Sequence, residues 1–244
     1  LTITPPDDSN VDFDLTVAAT STDGTDTATT TATLPVSVTG VADDPTVTAG
    51  DVSGDEDTAI ALNLSAALND VDGSETLAVT LTGLPAGATL SAGTVNGDGS
   101  VTLTAAQLDG LTVTPPDDFS GDMTLTLTAT STEDDGDTAV VSEDFTVSVT
   151  GVADAPTLDV TAASGDEDTA IPLDITAALT DDSEVLSVTI SGIPAGATLS
   201  AGTVNGDGSV TLTAAQLDGL TITPPDDSNV DFDLTVAATS TDGT

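Results

Sequence analysis

The sequence predicts an all-β protein, built of antiparallel β-sandwiches that repeat in tandem and stack end to end. Three observations support this prediction. Short segments alternate between apolar residues and threonine, turn-forming glycines and aspartates separate these segments, and long stretches recur at a fixed spacing. An alternation of two residues is the pattern of a half-buried strand. A fixed long spacing indicates an array of similar domains.

The repeat period is about 110 residues. The segment "LTITPPDDSNVDFDLTVAATSTDGT" occupies residues 1–25 and recurs unchanged at 220–244, and a related copy starts at Leu111. The proline-containing linkers "GVADDP" (40–45) and "GVADAP" (151–156) mark the joints between repeats. The chain is therefore a stretch of a tandem array of repeats. The predicted domains are the C-terminal part of a preceding repeat (1–42), a complete sandwich (43–152) and a sandwich that lacks its last strand (153–244).

Within the complete repeat, short strands follow one another with only turns between them. Asn-Gly and Asp-Gly at 95–101 predict a hairpin, and only "TAAQLDG" (104–110) predicts a helical turn. Seven or so strands in about 110 residues predict a sandwich with Greek-key connections of the immunoglobulin type. The apolar faces of four strands are Leu77, Val79 and Leu81; Val101 and Leu103; Met123, Leu125, Leu127 and Ala129; and Phe145, Val147 and Val149.

The charge of the chain limits its partners. It has 42 Asp and Glu residues and no Lys, Arg or His, giving a formal charge of -42. Nucleic acid is excluded as a partner because phosphate binding needs Lys or Arg, and anionic membrane surfaces repel the chain. The given sequence shows no apolar run of about 18 residues and no signal-peptide pattern, so we expect this stretch neither to span a membrane nor to carry its own N-terminal address. Cations are the expected partners.

Catalysis finds little support in the composition. The chain lacks the His, Lys, Cys and Tyr side chains that most often act as bases or nucleophiles. A glycosidase with two carboxylates needs none of these, but there is no Trp or Tyr to stack on a sugar ring. We therefore expect a protein that is not an enzyme.

The acidic residues concentrate in loops that the sandwich places at the joints between domains. Two like charges about 4 Å apart cost about 1 kcal/mol in water and about 4 kcal/mol at an effective dielectric constant of 20, and a divalent cation reverses this repulsion. Ca²⁺ is the predicted ion, since it accepts about six to eight oxygen ligands and the chain lacks the His and Cys ligands that transition metals prefer. The alternative is that these acids are solvated loop charges.

The predicted ligands form two groups. At the joint of the second and third repeats they are Asp55, Glu56, Asp57, Asp117, Asp118, Asp154, Asp181, Asp182 and Glu184. At the joint of the first and second repeats they are Asp7, Asp8, Asp43, Asp44, Asp70, Asp72 and Glu75. The loop "NDVDGSE" has the D-x-D-G spacing of many calcium loops, whereas its counterpart "TDDSE" is two residues shorter, so the number of ions is expected to differ. In "NGDGS", hairpin chemistry explains the Gly and Asp without an ion.

Several of these segments resemble a known family over the whole chain. "GDEDTAIPLDITAAL", "LSVTISGIPAGATLSAGTVNGDGSVTLTAAQLDGLTITPP" and "VTGVADAPTL" resemble the cadherin-like, immunoglobulin-like extender repeats of giant bacterial adhesins of the repeats-in-toxin (RTX) class. The resemblance implies export by type I secretion and retention on the surface of a Gram-negative marine bacterium. It also implies a spacer, made rigid by Ca²⁺ between neighbouring repeats, that projects ligand-binding domains for attachment or biofilm formation.

The resemblance extends to the arrangement of the joint, and it leaves alternatives open. In cadherins, acids from the A-strand region, the E-F segment, the linker and the next B-C loop share calcium, but this chain has "ADAP" or "ADDP" in place of the Asn- and Asp-rich linker. One alternative is an acidic haloarchaeal or S-layer wall repeat, and another is a Ca²⁺-dependent carbohydrate- or protein-binding module. Residues 26–42 are also expected to be able to supply a last strand to residues 153–244 of an identical chain.

Overall fold

The structure, a computed structural model, describes residues 1–243 and consists almost entirely of β-strands. The chain divides into two compact units, Leu1–Val149 and Thr150–Thr244. The final residue of the predicted third domain, Thr244, lies outside the described residues. No helix in the described part of the chain is both long and apolar enough to cross a membrane.

The first thirteen strands form the first unit. They are β1 (Phe13–Asp23), β2 (Asp26–Val36), β3 (Thr46–Gly50), β4 (Val52–Asp55), β5 (Ile60–Ala61), β6 (Asn63–Ala67), β7 (Glu75–Thr82), β8 (Thr89–Leu90), β9 (Thr94–Val95), β10 (Val101–Leu103), β11 (Thr112–Thr114), β12 (Gly121–Glu133) and β13 (Thr138–Thr150). A single helical turn, α1 (Ala105–Leu108), confirms the turn predicted at 104–110.

Two antiparallel sheets face each other in the first unit. One has six strands in the order β4-β13-β12-β7-β10-β9, and the other consists of the groups β3-β6 and β5-β11-β8. Leu62 separates β5 from β6, but its N–H donates to the carbonyl oxygen of Leu111 at 2.9 Å and so continues the pairing with the neighbouring strand. The prediction of an immunoglobulin-like β-sandwich is confirmed.

The core contains the apolar faces that the alternation predicts. Leu77 is half-buried, and the other predicted inward residues of β7, β10, β12 and β13 are buried. Phe145 is the only aromatic side chain that is buried among the described residues, so the core is otherwise aliphatic. The threonines between these positions face away from the core, where their β-branched side chains favour extended backbone.

The strands of the complete repeat are more numerous than predicted. Asp55, one of the acids predicted to lie in loops at the joints, is instead the last residue of β4. The reason is that Val52 packs against the core and β4 pairs with the edge of β13, which would otherwise be unpaired. The predicted hairpin at 95–101 is confirmed, since the Asn96 N–H donates to the Ser100 carbonyl oxygen at 2.8 Å between β9 and β10.

Strands β1 and β2 form a hairpin that has almost no core of its own. The two strands pair along their whole length, from Phe13↔Val36 to Asp23↔Asp26. Nearly all of their side chains are exposed, and Val17 is 52% exposed. The hairpin is therefore held by its ladder of backbone hydrogen bonds more than by packing.

The second unit repeats the sandwich with fewer strands. They are β14 (Thr157–Thr161), β15 (Ile171–Pro172), β16 (Asp174–Ala178), β17 (Val185–Ser191), β18 (Thr198–Leu199), β19 (Thr203–Val204), β20 (Val210–Thr213), β21 (Thr221–Thr223) and β22 (Thr235–Thr241). They form the groups β14-β16, β15-β21-β18 and β19-β20-β17-β22. The core side chains include Val188, Ile190, Leu212 and Leu220, all of which are buried.

Burial, rather than residue type, should decide how much each apolar position of the repeat contributes to stability. Leu127 is fully buried in β12, whereas Val17 occupies the equivalent position of β1 and is half exposed. We expect Leu127→Ala to lower the free energy of unfolding of the first unit by about 2–5 kcal/mol, and Val17→Ala to change it by less than about 0.5 kcal/mol. Urea unfolding of both variants checks this, and equal losses would contradict the assigned core.

Candidate metal sites

The loop before β7 turns two carboxylates towards the sandwich. In segment 69–75, Asp70 Oδ1 accepts the N–H of Asp72 at 2.8 Å, and Asp72 Oδ1 accepts the N–H of Ser74 at 2.8 Å. The hydrogen bonds from Ser74 lower the pKa of the Asp72 carboxyl. These two tight turns bury Asp70 and place Glu75 at the first position of β7.

Two buried glutamates lie directly opposite each other at the end of the six-stranded sheet. Glu75 of β7 pairs with Glu133 of β12, and these residues are 7% and 4% exposed. Like charges at directly opposed positions destabilise a sheet, and no side chain of the sequence is positive. Burial raises the pKa of Glu133, and the charges of Glu75 and Asp70 raise it further, while a hydrogen bond from the Ser74 hydroxyl (3.3 Å) lowers it.

The linker brings the carboxylate of Asp43 close to those of Asp70 and Glu75. The Asp43 N–H donates to Glu75 Oε1 at 2.7 Å, and the Ser131 hydroxyl donates to the Asp43 carbonyl oxygen at 2.6 Å. One carboxylate oxygen each of Asp43, Asp70 and Glu75 lie within 4.8 Å of one another. We call these three residues the Asp43 cluster.

One oxygen of the Asp43 cluster has no donor. Glu75 Oε2 is buried and has no hydrogen-bond partner in the described part of the chain. An unsatisfied buried charge is strongly unfavourable. A cation satisfies such an oxygen, and three converging carboxylates are a donor set that suits a hard divalent ion.

Residues from before the linker contact Glu133, the buried neighbour of the Asp43 cluster. Asn10 Nδ2 donates to Glu133 Oε2 at 3.4 Å. Gly40 lies against the same side chain, so that a Cβ at this position would approach Glu133 Cδ to 2.8 Å. Burial also raises the pKa of Asp8. Four neighbouring carboxylates raise it further, namely Asp43, Asp70, Asp7 and Asp72.

The predicted first group of ligands is thus partly assembled. The structure brings Asp43, Asp70 and Glu75 together, and Asp7, Asp8 and Asp72 are close enough to interact electrostatically. Asp44 is exposed, and its carbonyl oxygen accepts a hydrogen bond from Asn69 Nδ2 at 2.7 Å. Whether these residues hold a metal stays a prediction.

Sequence reasoning missed Glu133 and Asn10 as members of this site. A signal for Glu133 was available, since only six of the 42 acids are glutamates. Within residues 1–243 the structure buries four of these six, namely Glu56, Glu75, Glu133 and Glu184. The longer glutamate side chain can reach inward from the end of a strand, whereas the short aspartates mostly remain in turns.

The predicted second group has five members in the first unit. Asp57 Oδ1 accepts the N–H of Asp118 at 3.2 Å, which joins the loop after β4 to the loop after β11. Both residues have a left-handed backbone, with φ of 55° and 56°, a conformation that Asp tolerates better than most residues. Glu56 is buried, and Asp55 and Asp117 are exposed.

The other four members of the predicted second group lie in the second unit. Two of them, Asp154 and Glu184, repeat the arrangement of Asp43 and Glu75. The Asp154 N–H donates to Glu184 Oε1 at 2.6 Å, as Asp43 does to Glu75. Glu184 is buried, and its Oε2 also has no hydrogen-bond partner among residues 1–243.

The neighbouring acids of this loop differ in exposure. Hydrogen bonds from Ser183 lower the pKa of buried Asp181, and Asp182 is exposed. The Ser240 hydroxyl donates to the Asp154 carbonyl oxygen, which corresponds to the bond from Ser131 to Asp43. The second unit therefore holds its linker acid by the same contacts as the first.

The "NGDGS" turn shows hairpin chemistry instead. Asp98 Oδ1 accepts both the N–H and the hydroxyl of Ser100, at 3.0 and 2.7 Å. These bonds lower the pKa of Asp98. Its carboxylate is thus used within its own turn.

Comparisons with known proteins give likeness of shape only. No protein-family model and no curated protein match the chain. A solved structure of protocadherin gamma-B3 domains EC1-4 is 11% identical, with a TM-score of 0.41, and the match covers 94% of this chain and 55% of that one. Protocadherin gamma-B2 domains 1-5 are 13% identical with a TM-score of 0.37, and the match covers 93% of this chain and 41% of that one. The human desmocollin-1 ectodomain is 12% identical with a TM-score of 0.33, and the match covers 93% of this chain and 44% of that one. This chain therefore spans about half of those chains or less.

The chain's own sheets and contacts define its class. It is an all-β protein of immunoglobulin-like sandwich repeats, and buried carboxylates lie where the linker meets the start of a central strand of the larger sheet.

The raised pKa of Glu133 gives the metal-free protein a characteristic pH dependence. A carboxyl with a folded-state pKa above its ordinary 4.5 binds more protons when folded, so its contribution to stability is greatest below that value and falls as the pH rises through the raised pKa. In chelator, we expect Glu133→Gln to become more stable relative to the natural chain as the pH rises from about 4 to 7. Urea unfolding across this range checks the prediction, with exposed Glu143→Gln as the control. A pH-independent difference between Glu133→Gln and the natural chain would contradict it.

Proposed function

We propose that this chain is a stretch of extender repeats from a large bacterial surface adhesin, made rigid by Ca²⁺ bound at the joints. The single observation that carries the proposal is the Asp43 cluster. Within residues 1–243, its buried Glu75 Oε2 has no hydrogen-bond donor, and Glu75 lies opposite the buried Glu133 in a chain with no positive side chain. Such a group needs a cation from outside the chain.

The donors at this position favour calcium among the common metal ions. All of them are oxygens, since the chain has no His or Cys, and hard oxygen ligands in irregular arrangements suit Ca²⁺. Asp43, Asp70 and Glu75 would hold the ion, with Glu133 adjacent. The bound ion would supply the positive charge that neutralises these carboxylates.

The position of the cluster supports a mechanical role. Asp8, Asn10 and Gly40 come from the tail that precedes the linker, whereas Asp70 and Glu75 belong to the sandwich that follows it. A cation bound here would tie the two parts together and oppose bending at the linker. The same hydrogen bond from the linker acid to Glu184 in the second unit is consistent with one such joint per repeat.

Repetition favours a spacer over a binding module. Near-identical copies add length and mechanical continuity, and β12 and β13, of 13 residues each, span about 43 Å. We infer that the joints fall near residues 43 and 153, with neighbouring repeats as the partners of each sandwich. The proposed function is non-catalytic, since the clustered acids lie at the ends of strands and in turns.

The location follows from the resemblance of the repeats to RTX adhesin extenders. We propose that the chain belongs to a protein secreted to the surface of a Gram-negative marine bacterium, where it carries ligand-binding domains outward for attachment or biofilm formation. The solved structures with a similar shape include two protocadherins and a desmocollin.

Calcium should stabilise the first unit through the Asp43 cluster. At a hundredfold excess over the dissociation constant, a single site adds about 2.7 kcal/mol to the free energy of unfolding. Glu75→Gln should lose most of this gain, because it removes the charge of the oxygen that has no donor. The matched control is Glu143→Gln, an exposed glutamate of β13, which should keep it. Urea unfolding of the natural chain and the two variants in calcium, magnesium and chelator at equal ionic strength measures the gain in stability of each protein.

The same samples separate the alternatives. Small-angle scattering should show a longer and narrower distribution of distances in calcium than in chelator or magnesium. If all three conditions behave alike, the acids are solvated charge and the halophilic wall repeat is the better explanation. If calcium binds without stiffening the chain and a glycan array shows calcium-dependent binding, the chain is a recognition module.

A further inference from the structure

The first segment of the complete repeat runs beside its last strand. We call residues 42–55, which include β3 and β4, the leading segment. The Ala42 N–H donates to Asp137 Oδ2 at 3.0 Å, just before β13 begins, and the Ala49 N–H of β3 donates to Glu143 Oε2 of β13 at 3.2 Å. Strand β4 then pairs with β13. Because the residue numbers rise together on both sides, the leading segment runs parallel to β13.

The leading segment changes sheets between β3 and β4. Strand β3 pairs with β6 at an edge of one sheet, whereas β4 pairs with β13 in the six-stranded sheet. Asp51 is the residue between the two strands, and its Oδ1 accepts the N–H of Thr146 of β13 at 2.7 Å. A side-chain oxygen thus satisfies a donor of β13 at a point where the leading segment has no strand.

Glu143 makes a second bond of this kind in the opposite direction. The alternation of β13 puts Glu143 on the same face as the buried Phe145 and Val147, which is the face towards the other sheet. Its side chain is exposed, and its carboxylate accepts the N–H of Ala49. Glu143 therefore connects the six-stranded sheet to the edge strand β3 of the other sheet.

The complete repeat is entered and left at opposite ends of β13. The carbonyl oxygen of Asp43 accepts the hydroxyl of Ser131, which pairs with Ala139 near the start of β13. The chain leaves the repeat at Thr150, the last residue of β13. A pull on the two linkers therefore slides the leading segment along β13. In this direction all the bonds between them carry the load together, whereas a pull at one end breaks them one after another.

We propose that Asp51 and Glu143 form a mechanical clamp, in which two carboxylates hold the leading segment to β13 against tension along the chain. That the repeat is under tension rests on the proposed spacer function, but the clamp belongs to the sandwich and needs no metal. Charged acceptors form stronger hydrogen bonds than neutral ones. Since forced unfolding depends on the unfolding rate, the clamp should raise resistance to force more than stability at equilibrium.

The test applies force to the complete repeat within the 244-residue chain. The sequence has no Cys, so introduced cysteines at exposed positions serve as the attachment points. Val41→Cys with Ala153→Cys gives a pull along β13, and Val41→Cys with Asp135→Cys gives a pull at one end of it. Unfolding rates at constant force are measured in both directions, in calcium and in chelator.

The variants separate the clamp from a general loss of stability. Asp51→Ala removes the acceptor oxygen, and the second unit has Ala162 at the equivalent position, so the change suits the fold. Asp51→Asn keeps an acceptor oxygen. The matched control is Asp144→Ala, in exposed β13, because Asp144 Oδ1 accepts the Thr126 hydroxyl at 2.7 Å and so joins β13 to β12 instead of to the leading segment.

With force along β13, Asp51→Ala and Glu143→Ala should each raise the unfolding rate about five- to tenfold, in calcium and in chelator alike. Asp51→Asn and Asp144→Ala should remain within about twofold of the natural chain. With force at one end, the natural chain should unfold faster than it does along β13 at the same force. Urea unfolding should show similar losses of stability for Asp51→Ala and Asp144→Ala.

Two results would overturn the proposal. One is an equal unfolding rate of the natural chain in both directions, and the other is equal acceleration by Asp51→Ala and Asp144→Ala along β13. Either result leaves the calcium-dependent stiffening of the joints unaffected. Conversely, a chain that does not respond to calcium can still show the clamp, because the comparison is also made in chelator.

Discussion

The constraint on which the rest of the structure depends is that carboxylates are buried in a chain without a positive side chain. Glu75 and Glu133 face each other across two central strands of the larger sheet, and Asp43 and Asp70 converge on the same point. Salt bridges to a basic side chain are not available to such a group. Its stability therefore depends on backbone donors, serine hydroxyls and cations from solution.

Local hydrogen bonds hold these acids in place. Asp70 and Asp72 accept backbone N–H groups two residues further along, and Ser74 lies between Asp70 and Glu133. The contacts among Asp70, Asp72 and Ser74 follow from the tendency of short Asp and Ser side chains to bond their own turns, whereas the contact with Glu133 joins the loop to another strand. The sequence of the loop therefore favours the arrangement in which its acids are held.

The repeat also shows how much the burial of one strand depends on its neighbours. Strands β1, β12 and β22 have closely related sequences, but only β12 has strands on both of its edges and a sheet facing it. Its inward side chains are buried, those of β22 are half-buried, and those of β1 are largely exposed. Equivalent residues therefore differ in what they contribute to stability, because the area removed from water is set by the surroundings.

The sequence by itself determined the fold class, the inward faces of the long strands, the helical turn, the hairpin at 95–101 and the loops in which the acids lie. Each of these is a local property, fixed by an alternation of two residues, by Gly and Asp in turns, or by a recurring segment. The tertiary structure alone decided which acids meet. It opposed Glu75 to Glu133 through the register of β7 and β12, placed Asp55 in the edge strand β4, and brought Asn10 and Gly40 against Glu133. Register and edge pairing join residues far apart in the chain, and their energies depend on the burial of all the neighbouring strands at once.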